Sequence, residues 1–160
     1  MSLTVGTTAP DFTLSTKNAN GIQKISLKES LANGKVVLLF FPLAFTGVCT
    51  DEMCSVSGGI EDYKALNASV YAISVDSMFA QEAWVNANKI TIPVLSDFNK
   101  EVSKAYGVLA EEFLPEKLGL KGVSNRSAFV INTDGTIAFA WSSENPGNLP
   151  PFDEMKQALA

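Results

Sequence analysis

Lys35-Val36-Val37-Leu38-Leu39-Phe40-Phe41-Pro42-Leu43-Ala44-Phe45-Thr46-Gly47-Val48-Cys49 is the stretch on which the fold turns. Its first half is apolar without polar alternation, the pattern of a central strand buried on both faces, and it predicts a strand over Lys35 to Pro42. Pro42 lacks an N–H and has a fixed φ, so it ends the strand and stiffens the loop that follows. Thr46 is a candidate helix N-cap. The chain from Cys49 to about Leu66 reads as a helix, with Asp51 and Glu52 placed in its first turn, where acidic side chains suit the dipole. A cysteine therefore stands where a strand has ended and a helix begins. Unpaired N–H groups and the positive dipole end favour its thiolate, the nucleophilic form. Cys54 follows five residues later and is the second and last cysteine of the chain.

Outward from this stretch, strands alternate with helices. Gly6 to Leu14 is a proline-containing entry segment, and Gln23 to Leu27 alternates as a half-buried strand does. Ser69 to Asp76 is a second central strand, and Ser77 caps a helix running through Asn88. Pro93 to Ser96 is a short strand. Asp97 or Asn99 opens a brief helix that stops near Tyr106-Gly107. Leu109 to Asn125 is loop-like. Ser127–Ile131 and Thr136–Trp141 flank Asp134-Gly135, the clearest hairpin signal present. Pro150 or Pro151 starts a terminal helix. The order predicts one α/β domain over residues 1–160, with a mixed sheet of about five to seven strands and helices on both faces.

Composition narrows the chemistry. The chain has 160 residues, 46% of them apolar and 18% charged, so it can bury a core. Net charge is −5 with no basic cluster, which disfavours nucleic acid. No apolar run approaches a membrane span, and the first residues lack the basic and apolar regions of a secretory leader; a cytoplasmic protein with reduced thiols is expected. There is no histidine. That removes Ser-His-Asp and Cys-His activation, and two cysteines alone are too few for a zinc site.

Pro42-x-x-x-Thr46-x-x-Cys49 resembles the peroxidatic loop of the peroxiredoxins. Ala9-Pro10-Asp11-Phe12, Ser96-Asp97, Ala105-Tyr106-Gly107 and Arg126 occur in that family's order over nearly the whole chain. The loop sequence is similar to the alkyl hydroperoxide reductase E-like subgroup, while Cys-x4-Cys resembles the Q-type, or bacterioferritin-comigratory, subgroup. The resemblance implies a thioredoxin-like fold and thiol-dependent reduction of hydrogen peroxide and organic hydroperoxides without metal, haem or flavin. It implies Cys49 as the peroxidatic cysteine, Thr46 as the hydroxyl contacting peroxide, Pro42 as the loop's shield, Arg126 as the guanidinium beside the thiolate and Glu52 as the carboxylate holding it. Thioredoxin or a glutaredoxin-like dithiol is the implied reductant, and either a homodimer built near the loop or a monomer is permitted.

The residues fit these roles chemically. With no histidine, a permanently charged guanidinium and a helix N-terminus are the means left to favour a thiolate. Each residue alone has an ordinary reading: Pro42 as strand terminator, Arg126 as surface ion-pair partner, Glu52 as complement to the dipole, Cys49 as a small buried apolar residue. In an intact helix, residues five apart have Cα atoms ~8–9 Å apart, beyond the ~7 Å limit for a disulfide. Cys54 can therefore resolve an oxidised Cys49 only if the helix unwinds, and Ser55-Val56-Ser57-Gly58-Gly59 is poor helix material. Otherwise Cys54 packs on the core and stays inert. Two further readings remain open: a thiol–disulfide oxidoreductase or redox sensor on the same fold, and a non-catalytic binding module.

Overall fold

The computed structural model describes residues 3–160. Chain order is β1 (Thr13–Asn18), β2 (Gly21–Ser26), α1 (Leu27–Leu31), β3 (Lys35–Phe40), α2 (Gly47–Gly58), α3 (Ile60–Ala65), β4 (Ala68–Ser74), α4 (Met78–Asn88), β5 (Val94–Ser96), α5 (Glu101–Ala105), β6 (Leu109–Ala110), β7 (Val123–Ser124), β8 (Arg126–Ile131), β9 (Ile137–Ser143) and α6 (Phe152–Leu159). Seven strands form one mixed sheet in the order β2-β1-β5-β4-β3-β8-β9. β3, β4 and β5 are parallel to one another; β8 and β1 flank them antiparallel.

The apolar run is central, as its composition requires. Val36, Leu38 and Phe40 pack on one face with Leu27 of α1, Val102 of α5 and Tyr106. Val37, Leu39 and Phe41 pack on the other with Met53 of α2, Tyr63 of α3, Trp84 of α4 and Met155 of α6. Each of the six residues from Val36 to Phe41 is fully shielded from solvent, and burying side chains of this kind contributes about 1.5–3 kcal/mol apiece. Helices thus cover both faces, and the sheet count matches the sequence reading.

Several local expectations are corrected. The helix expected from Cys49 to Leu66 begins two residues earlier, at Gly47, and breaks at Gly59, where φ −102° and ψ 15° leave the helical region. Asp51 and Glu52 consequently lie beyond the first turn, so the helix dipole does not account for Glu52. Thr13 to Asn18 is a strand pairing along its length with β2; the sequence reading had an entry segment ending at Leu14 and assigned no strand here. Leu109 to Asn125 contains the two-residue ribbon β6–β7 around a small core of Ala110, Phe113 and Val123. The brief helix opens at Glu101, with the Asp97 carboxylate accepting from the N–H groups of Val102 and Ser103. Ser77 does cap α4, accepting from the Ala80 N–H, and Asn132–Thr136 closes the β8–β9 hairpin with Gly135 at φ 87°.

Register places the chemistry. Phe40, the last residue of β3, pairs with Ser127 of β8. Arg126 therefore stands beside the carboxyl end of β3, where the cysteine loop departs. The Ala44 N–H of that loop donates to the Asp76 carboxylate at 2.9 Å, and Ser74 donates to the same oxygen at 2.6 Å, tying the loop to the end of β4. The carboxyl ends of parallel strands are where open α/β sheets hold their ligands. Among the described residues no helix is long and apolar enough to cross a membrane.

Candidate active site

Cys49 occupies the third residue of α2 and is 1% exposed. Helix geometry turns it inward to the sheet face with Phe41, Met53 and Val56. The Arg126 Nη2 donates to its sulfur at 3.2 Å. The same guanidinium donates through Nη1 to the Glu52 Oε2, an ion pair fully enclosed by protein. The Nε and Nη2 groups both donate to the Pro146 carbonyl, at 3.4 and 3.1 Å. Cys49, Glu52 and Arg126, separated by 77 and 74 positions in the chain, meet at one point.

The electrostatics follow from enclosure. Burial pushes the Glu52 carboxyl up to about 7, and the neighbouring guanidinium only partly counters this. Its Oε1 has no hydrogen-bond partner among the described residues. Burial also works against the charged form of Arg126, but Glu52 and Cys49 beside it outweigh that and hold its pKa above the ordinary value. A fixed cation thus lies against the sulfur, and Cys49 itself sits in the first turn of α2, where N–H groups are free of ladder bonds.

Pro42, Leu43 and Thr46 wall a cavity of about 220 Å3 that reaches Cys49, Arg126 and Pro146. Phe113, Leu114 and Leu118 close its far side. The segment read as loop therefore supplies the apolar wall. A larger hollow of about 470 Å3, lined by Ser77, Phe79, Asp97 and Phe98, contains neither cysteine, so chemistry and not size selects the site. Thr46 stands at the N-cap position with extended backbone, but its side chain makes no capping bond. Its hydroxyl donates to the Leu43 carbonyl at 2.8 Å. The preceding Phe45 has φ 64°, a left-handed conformation unusual for an aromatic residue, in the loop between β3 and α2.

Cys54 is elsewhere. α2 runs unbroken from Gly47 to Gly58, and both thiols are free. Cys54 is exposed, so it does not pack on the core, and its thiol points to the Asn88 carbonyl at the end of α4, 3.7 Å away. The helix is also pinned at its start: Trp84 Nε1 donates to the Thr50 hydroxyl at 3.0 Å, which donates to the Thr46 carbonyl at 2.8 Å.

Five of the six residues singled out in the sequence thus converge and Cys54 stands apart. The sequence reading missed Pro146, Asp76 and the apolar wall. Pro146 acts through a backbone carbonyl, which no residue type signals. Asp76 ended the strand expected from the sequence and lies two residues past the observed β4, and only its place at the end of a buried apolar run hinted at a role.

Known proteins are similar to this chain over nearly its full length. The AhpC/TSA family model matches residues 5–140. Alkyl hydroperoxide reductase E of Mycobacterium tuberculosis is 36% identical over 160 residues, covering 99% of this chain and 97% of that one. The crystal structure of peroxidoxin BcpB from Mycobacterium tuberculosis superposes with a TM-score of 0.80 at 28% identity, covering 97% of this chain and 95% of the other. Mycobacterium tuberculosis AhpC gives a TM-score of 0.83 at 26% identity, with 99% and 92% covered.

Proposed function

Because this chain belongs to the AhpC/TSA family and is a peroxiredoxin, a thiol peroxidase, we propose that its peroxidase cycle runs through Cys49 and is resolved by Cys54. The observation that carries this is the buried Cys49 sulfur with the Arg126 Nη2 at 3.2 Å, at the end of an apolar cavity.

In the first step the Cys49 thiolate attacks one oxygen of a hydroperoxide. The S–O bond forms as the O–O bond breaks, and the departing alkoxide or hydroxide takes a proton, leaving a sulfenic acid and an alcohol or water. Arg126 offers donors to the charge that moves from sulfur to oxygen. The Thr46 hydroxyl donates its hydrogen bond to the Leu43 carbonyl, so its lone pairs are left to accept from the peroxide O–H. Pro42 and Leu43 limit water at the sulfur.

In the second step Cys54 condenses with the sulfenic acid, releasing water and forming a disulfide. The ~8–9 Å Cα separation of an intact helix forbids this bond, so the first turns of α2 unwind in the oxidised protein. An external dithiol protein, thioredoxin or a glutaredoxin-like partner, then reduces the disulfide by exchange. That cycle suits a reducing compartment such as the cytoplasm.

The test is rapid-mixing peroxide consumption by wild type and Cys49→Ser, each with a dithiol reductant present. Loss of consumption in the variant supports the reading. Substantial residual turnover, or a wild type that exchanges with disulfide substrates while ignoring peroxide, overturns it.

A further inference from the structure

Arg126 touches the sulfur through Nη2, and the same nitrogen donates to the Pro146 carbonyl, with Nε donating there too. Pro146 sits in the segment after β9, at the surface. We propose that Ser143 and Asn145 are positioning residues for the peroxidase reaction, holding the Pro146 carbonyl where it fixes the edge of the guanidinium facing Cys49.

The segment is built for that task. Ser143 is the cross-strand partner of Arg126 in the β8–β9 ladder, so the chain leaves β9 opposite the arginine and folds back over it. The Ser143 hydroxyl accepts from the Asn145 N–H at 3.1 Å and from the Asn148 Nδ2 at 3.0 Å, and donates to the Asn145 carbonyl at 3.2 Å. Those three bonds use the full capacity of a hydroxyl. The Asn145 Oδ1 accepts from the Gly147 N–H at 2.9 Å, and the Asn145 carbonyl accepts from the Asn148 N–H at 3.1 Å, closing a turn around Pro146. Pro146 cannot donate and has a fixed φ, so only its carbonyl addresses the site.

The physical reason for such a device is the number of anchors. Glu52 grips the guanidinium at Nη1 alone, which leaves the plane free to pivot. A second anchor on the Nε–Nη2 edge removes that freedom, and it acts on the very nitrogen that meets the sulfur. Asn145, Gly147 and Asn148 are exposed, with Pro146 half-buried. Their precise turn therefore owes little to core packing and is held by the hydrogen bonds themselves.

This rests on Cys49 and Arg126 acting as proposed above, and the experiment separates the two. Ser143→Ala, Ser143→Thr, Asn145→Ala and Asn145→Asp are compared with wild type and Cys49→Ser. The readouts are the pH profile of the second-order rate of reaction with hydrogen peroxide and the thermal midpoint. Misplacing a donor by an ångström can cost ~100-fold; for a loosened anchor about 10-fold at neutral pH is expected in the two alanine variants. Their profiles shift to higher pH while the thermal midpoint holds. Ser143→Thr and Asn145→Asp, which keep the bonding oxygens, recover most of the rate. Wild-type profiles in both alanine variants, or equal losses in the conservative pair, overturn the inference. If Cys49→Ser itself keeps its activity, the failure belongs to the parent reading instead.

Discussion

Cys49 and Cys54 lie within two turns of each other on α2, yet their surroundings are opposite. Cys49 is sealed in protein, with a guanidinium at 3.2 Å and an enclosed carboxylate behind it. Cys54 faces solvent and, among the described residues, bonds only the Asn88 carbonyl, at 3.7 Å, a weak bond for a thiol donor. Five residues of helix turn one thiol into the core and the other away from it. Reaction with a small peroxide needs the first environment, where donors are fixed and water is scarce. Encounter with a sulfenic acid, and then with a protein dithiol, needs the second, where the sulfur can move and be approached. The same helix serves both tasks only if it is stable when reduced and yields when oxidised.

The contrast breaks most severely, short of removing Cys49, by removing its cation. Arg126→Ala is expected to lower kcat/KM for peroxide by about 100- to 1,000-fold, the scale of losing one preorganised donor. It also strands Glu52 in the interior, which destabilises by about 3–5 kcal/mol. Arg126→Lys keeps the charge but not the fork, and an intermediate rate is expected. A rate unaffected by either change contradicts the electrostatic account of Cys49.

Cys54→Ser sharpens the comparison from the other side. Oxidation of Cys49 in a single turnover should proceed as in wild type, whereas reduction by a protein dithiol should slow and small-thiol reductants should gain relative to it. If single-turnover oxidation falls instead, Cys54 contributes to the first step and the two environments are not separate.

Glu52 gives a pH signature. Its folded pKa of about 7 lies above the ordinary carboxyl value of 4.5. Between these values the folded protein holds a proton that the unfolded chain has released, so rising pH destabilises the fold through this group. Below the lower value both states are protonated, and above the upper both are ionised, so the slope is confined to that window. The wild-type minus Glu52→Gln difference in unfolding free energy should therefore fall between about pH 4.5 and 7. A difference that is flat or rises with pH contradicts burial as the dominant influence.

The smallest expected effect concerns the pin on the helix. Thr50→Val removes the acceptor of Trp84 Nε1. Loss of about 1 kcal/mol is expected, more if the buried indole N–H is left without water. Amide exchange over the first turns of α2 should quicken while the sheet stays protected. Unchanged exchange means that the Trp84 bond does not govern opening.

Much of this was legible in the chain because it is local. An uninterrupted apolar run, a proline and a threonine three residues before a cysteine specify a strand, a stiff loop and a helix start within one short window. The hairpin announced itself through Asp134-Gly135 for the same reason. What escaped depends on distant or backbone partners. β1 joins β5 through the Ser15–Ser96 pair and mixes exposed with half-buried positions, so its period was weak. Glu52 by its own position suggested only the helix dipole; its pairing with Arg126, 74 positions away, came from the family resemblance alone. The break at Gly59 was foreshadowed by the two glycines, although the helix does extend through Gly58, with the Ser57 hydroxyl accepting from the Thr91 N–H at 3.0 Å.

The most direct measurement is the intact mass of the reduced protein after one equivalent of hydrogen peroxide, followed by thiol alkylation. Formation of the Cys49–Cys54 disulfide predicts a loss of about two mass units and no alkylation at either cysteine. A gain of about sixteen mass units, with Cys54 still open to alkylation, leaves a stable sulfenic acid at Cys49 and contradicts the two-cysteine cycle.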